Sequence, residues 1–279
     1  MGLFPAQPVH PVINKALIIM INIMKYLVSL GLGLFMLSIM KAQQISTLEV
    51  TYKYVNTGSN ISSEAKLYTS SQASLFIFEK KANHNEEVDV DEEGEIKVTI
   101  GGPDEQGKKI YKNFADQKLI FRDFLYVDGK TKVVIVEEKL PALNWNLKEQ
   151  TKEIGKYNCS LAEVTFRGRT YEVWYTTEIP IQNGPWKFQG LPGLILEVKS
   201  RDNNIYFLLE SLKMSSGGMI IDAPKDGEPI TFDDYVEIKE KTIDNFIARL
   251  YSKLPRGTKI TSNPTENYSL EKDFSENER

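Results

Sequence analysis

From Ile45 onward, apolar and polar residues alternate with the period of two that a half-buried strand requires. Leu48-Glu49-Val50-Thr51-Tyr52-Lys53-Tyr54 shows the pattern plainly, and the turn formers Asn56-Thr57-Gly58-Ser59-Asn60 end it. A second strand-like stretch, Ala65 to Lys80, centres on Leu75-Phe76-Ile77-Phe78. Glu86 to Val90 and Glu95 to Ile100 read as a hairpin about Asp91-Glu92-Glu93-Gly94, and Gly101-Gly102-Pro103 breaks the chain. Ile110 to Tyr126 and Lys130 to Glu137 flank Asp128-Gly129, a strong two-residue hairpin signal. Leu161 to Phe166 and Thr170 to Thr176 flank Arg167-Gly168-Arg169. Leu194 to Val198 and Ile205 to Leu212 flank Ser200 to Asn204. Many short strands with regular turns predict one antiparallel sheet that curls, or a sandwich.

One segment carries a different period. Phe232, Tyr235, Val236, Ile243, Phe246, Ile247, Leu250, Tyr251 and Leu254 recur at helical spacing. Thr231 is a good N-cap, Asp234 a weak capping-box partner, and Pro255 and Gly257 stop the run. The expectation is a helix over 231–254 whose apolar stripe covers the sheet, with a partner-binding helix as the minority reading. Residues 258–279 are polar and are expected to fray. The fold predicted is mainly β: a curved antiparallel sheet or half-barrel covered by one C-terminal amphipathic helix.

The richest stretch runs from Ile179 to Val198. It holds two Pro/Gly corners, Asn183-Gly184-Pro185 and Gly190-Leu191-Pro192-Gly193, around Trp186 and Phe188. Pro192 sets φ near −65°, and Gly193 is suited to the positive φ that a type II turn needs next. The stretch reads either as a packed corner between strands or as a corner that shapes a binding surface. Trp145, Trp174 and Trp186 join several Tyr and Phe between Tyr157 and Phe207, with Arg167 and Arg169 at a tip nearby. Aromatics at sheet spacing are core formers first. A curled sheet with a helix over its mouth would also make a concave apolar site.

The leader changes the expected location. Met24-Lys25 supplies a start and a positive charge, Leu27 to Met40 is uncharged and apolar, and Met40-Lys41-Ala42 ends in a small residue. Residues 1–42 therefore read as a signal peptide with a possible N-terminal extension before Met24, and Gln43 as the mature start. An uncleaved anchor is the alternative. The apolar run has no Cys at its end, which argues against a lipoprotein. The leader holds Lys15, Lys25 and Lys41 and no acid, so its removal makes a chain of formal net charge −4 more acidic still. That balance argues against nucleic-acid binding. Cys159 stands alone, so no internal disulfide is available, and its expected role is a buried structural thiol.

Catalytic motifs are few. The two histidines are His10, in the leader, and His84, in a polar loop. They leave no basis for a Ser-His-Asp triad or a His/Cys zinc site. Ser63-Glu64-Ala65-Lys66 matches S-x-x-K without companion motifs. Asp89 to Ile96 resembles the start of a calcium loop, but position twelve is Ile100 rather than Glu, so it reads as an acidic hairpin tip. Neither a P-loop nor a dinucleotide fingerprint is present. No cofactor is expected, and no enzymatic role.

Gly190-Leu191-Pro192-Gly193-Leu194-Ile195 resembles the signature of the GLPGLI family of exported Bacteroidota proteins. Further matches are Lys108-Lys109-Ile110-Tyr111-Lys112, Phe121-Arg122-Asp123, Trp145, Ile154 to Cys159, Phe166 to Arg169, Trp174-Tyr175-Thr176 and Gly184 to Phe188. The resemblance implies a Gram-negative envelope protein, periplasmic or surface-exposed, with residues 43–257 as its single β-rich domain. It implies no catalytic residues. The expectation is then a non-enzymatic envelope protein binding an apolar ligand or a protein segment in the concave face of its sheet. Trp174, Trp186, Phe188 and Leu191 are the candidate lining, and Gly190, Pro192, Gly193 and Cys159 the structural motif. The alternatives are an adaptor that pairs through strand edges with an outer-membrane partner, and a hydrolase using paired carboxylates.

Overall fold

The computed structural model describes residues 22, 24–25, 47–79, 87–90, 96–99, 106–127, 130–215, 221–241 and 269–274. Most of the leader, His84, the tip 91–95, the break at 101–103 and residues 242–257 lie outside the described residues. Contacts divide the chain into two units, Met1–Ile45 and Ser46–Arg279. In the first, residues 22, 24 and 25 are helical. Among the described residues, no helix is long and apolar enough to cross a membrane.

The second unit is the β domain. Its strands are β1 (Thr47–Asn56), β2 (Ile61–Thr69), β3 (Ala73–Phe78), β4 (Glu87–Val90), β5 (Ile96–Thr99), β6 (Lys109–Asn113) and β7 (Lys118–Val127). They continue with β8 (Lys130–Lys139), β9 (Asn146–Ile154), β10 (Tyr157–Phe166), β11 (Arg169–Thr176), β12 (Leu194–Ser200), β13 (Ile205–Ser215) and β14 (Glu228–Ile230). Twelve of them form one open sheet in the order β14-β8-β7-β6-β3-β2-β1-β13-β12-β11-β10-β9, and β4 and β5 form a separate hairpin. Every pairing is antiparallel except β14 on β8. Among the described residues, 232–241 form a helix, α1. Thr231 and Asp234 cap it as a reciprocal pair: the Asp234 N–H donates to Thr231 Oγ1 (3.1 Å), and the Thr231 hydroxyl donates to Asp234 Oδ2 (2.6 Å).

The predicted mainly β architecture with one helix therefore holds. Two predicted strands are each a hairpin. Ala65 to Lys80 turns at Ser70, whose hydroxyl accepts from the N–H groups of Gln72 and Ala73. Ile110 to Tyr126 turns at Asn113 to Gln117, where Asn113 Oδ1 accepts from the Asp116 N–H and Gln117 takes φ +52°. In both, an Asx- or Ser-type turn interrupts an apolar pattern that continues on either side. The β10–β11 turn uses two residues, because Phe166 pairs with Arg169, and Arg167 and Gly168 take φ +45° and +75°. That is the primed-turn geometry that matches strand twist. The edge strands β9 and β14 carry weak apolar patterns and were not predicted.

Bulges at Thr51/Tyr52, Ser160/Ala162 and Trp174/Tyr175 bend the sheet. Glu138 on β8 meets Arg167 in the β10–β11 turn, although these lie toward opposite ends of the strand order. The sheet thus curls until its outer parts approach, without closing by hydrogen bonds. Its inner face carries the core, with Tyr52, Leu67, Phe76, Phe166, Tyr171, Phe188, Leu196 and Phe207 all fully buried.

Segment 179–193 packs into this core and is tied from several strands. Lys112 on β6, fully buried, donates to Asn183 Oδ1 (2.8 Å), Phe188 O (2.7 Å) and Gly184 O (3.3 Å). Asn183 Nδ2 donates to Thr69 (2.9 Å), and Trp145 Nε1 to Gln189 O (3.0 Å). Burial pushes the Lys112 amine well below its ordinary value, and the three oxygen dipoles oppose that shift. The two glycines of the signature have different tasks. Gly190 takes φ +89°, whereas Gly193 lies outside the left-handed region and is needed for space, since an added Cβ would sit 1.9 Å from Thr176 O. This corrects the expected assignment of the positive φ to Gly193.

Gly193→Ala should lower the unfolding free energy by about 2–3 kcal/mol through forced overpacking. Gly155→Ala, at φ +60° in open space, should cost about 1 kcal/mol from backbone strain alone. Urea denaturation of both variants checks the order. Lys112→Met should cost about 2–4 kcal/mol, because it leaves buried acceptors unpaired.

Candidate functional site

Lys187 points away from the aromatic core that its neighbours Trp186 and Phe188 fill. Its ammonium meets Glu138 Oε1 (2.6 Å) and Glu271 Oε1 (2.8 Å). The Arg167 guanidinium meets the same two carboxylates, Glu271 through Nη1 and Glu138 through Nη2. Two cations and two carboxylates thus alternate in a four-membered ring, and all four side chains are 3–7% exposed. Phe166, Phe232 and Phe274 surround the guanidinium with ring centroids at 5.0, 4.7 and 5.6 Å, and Lys187 lies 4.4 Å from the centre of Phe121. Burial raises the Glu271 carboxyl, but Lys187, Arg167 and Lys239 outweigh it and hold it at about 2.

A second cluster lies across Phe121. Asp123 on β7 accepts from Lys108 (2.6 Å) and from the Tyr235 hydroxyl (2.7 Å). The Lys239 amine donates to the Tyr235 oxygen (3.1 Å). Burial favours neutral Asp123, yet Lys108 and Lys239 together hold it at about 2. Burial pushes Lys239 down, and burial followed by Asp123 pushes Tyr235 well up. Both clusters depend on α1 or on segment 269–274.

That segment is seated throughout. The Tyr171 hydroxyl donates to Leu270 O (2.6 Å), and the N–H groups of Lys272 and Asp273 donate to Arg167 O (2.9 and 3.1 Å). Lys272 pairs with Asp202 (3.0 Å), and Phe274 meets Phe232 edge-on (6.2 Å). Gly168 makes room, because a Cβ there would lie 2.8 Å from Asp273 Cβ. Fraying was expected from residue 258 onward; residues 269–274 instead dock, because Glu271 finds buried cations that polarity alone cannot reveal. A shallow hollow of about 310 Å³ lies beside Phe274, lined by Phe232, Asp233, Val236, Glu237 and Glu240.

The four residues expected to line a concavity separate. Trp186, Phe188 and Leu191 are at most 3% exposed and pack within the core, Phe188 against Tyr171 (4.9 Å) and Trp186 (5.0 Å). Trp174 points to the other face of β11, where Lys152 covers its ring at 4.4 Å. Pro192 sits in the turn between Leu191 and Gly193, where the Gly193 N–H donates to Leu191 O. Cys159 is buried in β10, and burial pushes its thiol up to about 11, which makes it a poor nucleophile. Ser63 and Lys66 lie three apart on strand β2 and so face opposite ways. Lys66 is also held charged by Glu79 (2.5 Å), the reverse of what S-x-x-K chemistry needs. Arg167 was singled out from sequence; Lys187 and Asp123 entered only within family-like motifs and Tyr235 only as a helix position, and Glu138, Glu271 and Lys239 not at all. They come from five separate stretches, and only the conjunction of charges at the curled seam reveals them.

Fold and site together define a curled antiparallel β protein with an ionic seam across its open side. A family model described as "Protein of unknown function (Porph_ging)" matches residues 163–197, from β10 through the 179–193 segment into β12. None of the curated proteins compared matches the sequence. Similar solved structures include two described as "Structure of PNGF-II in C2 space group" and "Structure of PNGF-II in P21 space group". They share 19% and 17% identity, each with a TM-score of 0.49, over 71% of this chain and 33% and 34% of theirs. The chain spans about a third of the length of those structures.

Because Glu271 and Asp123 are held below their ordinary 4.5 and 3.8 in the folded state, the stability they contribute is complete above those values. It is lost as pH falls toward about 2. Urea midpoints should therefore decline between pH 5 and pH 2. Glu271→Gln, with one such carboxylate removed, should show a shallower decline. Lys187→Met should cost about 3–5 kcal/mol at neutral pH, because it breaks a buried ion network from one side.

Proposed function

We propose that this chain is an exported, non-enzymatic protein of the cell envelope, periplasmic or outer-membrane-associated, that binds a segment of another protein. The observation that carries the reading is the groove at the seam. It already holds an irregular stretch, 269–274, through side-chain anchors and main-chain hydrogen bonds. The leader, with its apolar run from Leu27 to Met40, supports export.

Other readings have less behind them. The expected apolar cavity would have to be lined by Trp186, Phe188 and Leu191, and these are taken up by the core. Edge pairing is discouraged at both ends of the sheet. β9 carries Lys148, Glu149, Lys152 and Glu153, and β14 is three residues long with Pro229 at its centre. A carboxylate hydrolase needs one acid raised toward neutral pH, whereas Glu271, facing Glu138 across the ring, is held at about 2.

The test is expression of the tagged full chain in a Bacteroidota host, followed by fractionation and crosslinking in intact cells. The expected result is an envelope location and a defined crosslinked protein, lost in the Lys187→Met variant. A cytoplasmic location, or crosslinks indifferent to Lys187, would overturn the reading.

A further inference from the structure

Segment 269–274 is held almost as a separate peptide would be. It extends no strand of the sheet: its anchors include two charged side chains, Glu271 and Lys272, one ring, Phe274, and main-chain groups that any peptide possesses. The receptor side comes wholly from other elements. Arg167 and its carbonyl lie in the β10–β11 turn, Tyr171 on β11, Lys187 in the 179–193 segment, Glu138 on β8 and Phe232 on α1.

The charge count explains why the groove demands an occupant. Without Glu271, the buried cations Arg167 and Lys187 would share the single carboxylate of Glu138. A buried cation without a full complement of partners is costly, so the vacant groove selects an anion. The neighbouring groups add shape to that selection. Tyr171 offers a hydroxyl to a carbonyl one residue before the anion, and the Arg167 carbonyl accepts from the two N–H groups after it. Phe232 and the Arg167 guanidinium receive an aromatic ring three residues beyond the anion.

We propose that this groove is a peptide receptor whose ligand carries an apolar residue, then Glu, a basic residue that meets Asp202, one further residue and an aromatic. Segment Ser269 to Phe274, Ser-Leu-Glu-Lys-Asp-Phe, is its exchangeable resident occupant. This rests on the proposed segment-binding role and names the chemistry of the segment. A resident occupant lowers the fraction of competent receptor, so an external peptide binds the unaltered chain weakly and a chain with a loosened segment more tightly.

The experiment uses a fluorescein-labelled Ser-Leu-Glu-Lys-Asp-Phe peptide and fluorescence anisotropy on full-length wild type, Glu271→Ala and Phe274→Ala, each checked for folding by circular dichroism. The Phe274→Ala chain keeps the ion network intact and guards against loss of folding in the Glu271→Ala chain. Both variants should bind at least about tenfold more tightly than wild type, as release of a resident competitor predicts. Replacing the peptide's Glu by Gln, or adding Lys187→Met to the chain, should abolish that gain. Folded variants that do not bind, or that bind Glu and Gln peptides equally, overturn the receptor groove. Either result removes the groove as the support for segment binding but leaves the envelope location, which rests on the leader and is tested by the fractionation.

Discussion

The ion ring of Arg167, Glu271, Lys187 and Glu138 is the contact on which the rest of this architecture depends. An open twelve-stranded sheet leaves an unclosed side, and side chains rather than ladder hydrogen bonds bridge it here. Four buried charges are costly to desolvate, and the arrangement persists only because each cation touches both carboxylates. Aromatic rings on several sides of Arg167 exclude water and strengthen those pairs. Such a seam is less a source of net stability than a device that specifies which segments meet.

The 179–193 segment is the structural counterpart of that seam. One face of it, Trp186, Phe188 and Leu191, completes the apolar core, while Lys187 between the two aromatics supplies the ring. For both faces to be correct the backbone has to be held closely. Trp186 sits at φ +54°, a demanding value for a bulky residue. The bonds donated by Lys112 and Trp145, and the one that Thr69 accepts from Asn183, keep it there. Gly193 lets the returning chain lie against Thr176. A single corner thus couples the core to the polar groove, so occupancy of the groove and order in the core share the same backbone.

Of the whole, the strand-rich character, most hairpins, the helix start at Thr231 and the burial of Cys159 were legible in the order of residues. Those features are local: period-two alternation, Gly-containing two-residue turns and capping residues act over a few positions. The splitting of Ala65–Lys80 and Ile110–Tyr126 was harder to see, because Ser70 and the Asn113 to Gln117 turn interrupt apolar runs without Gly or Pro. The edge strands escaped because a strand with one neighbour and two wet faces needs no apolar alternation.

The site was decided by tertiary structure. Glu138 ends a strand, Glu271 sits in a polar stretch and Lys187 looks like a lysine between two aromatics; each alone resembles an ordinary surface charge. Their burial follows only when the bulged sheet curls far enough to bring β8 against the β10–β11 turn. Sequence by itself determined which segments prefer to be strands, turns and helix, because those preferences reside in neighbouring residues. Which charges leave water together was settled by long-range approach, since the pairing energy that offsets their desolvation exists only once residues distant in the chain are within contact of one another.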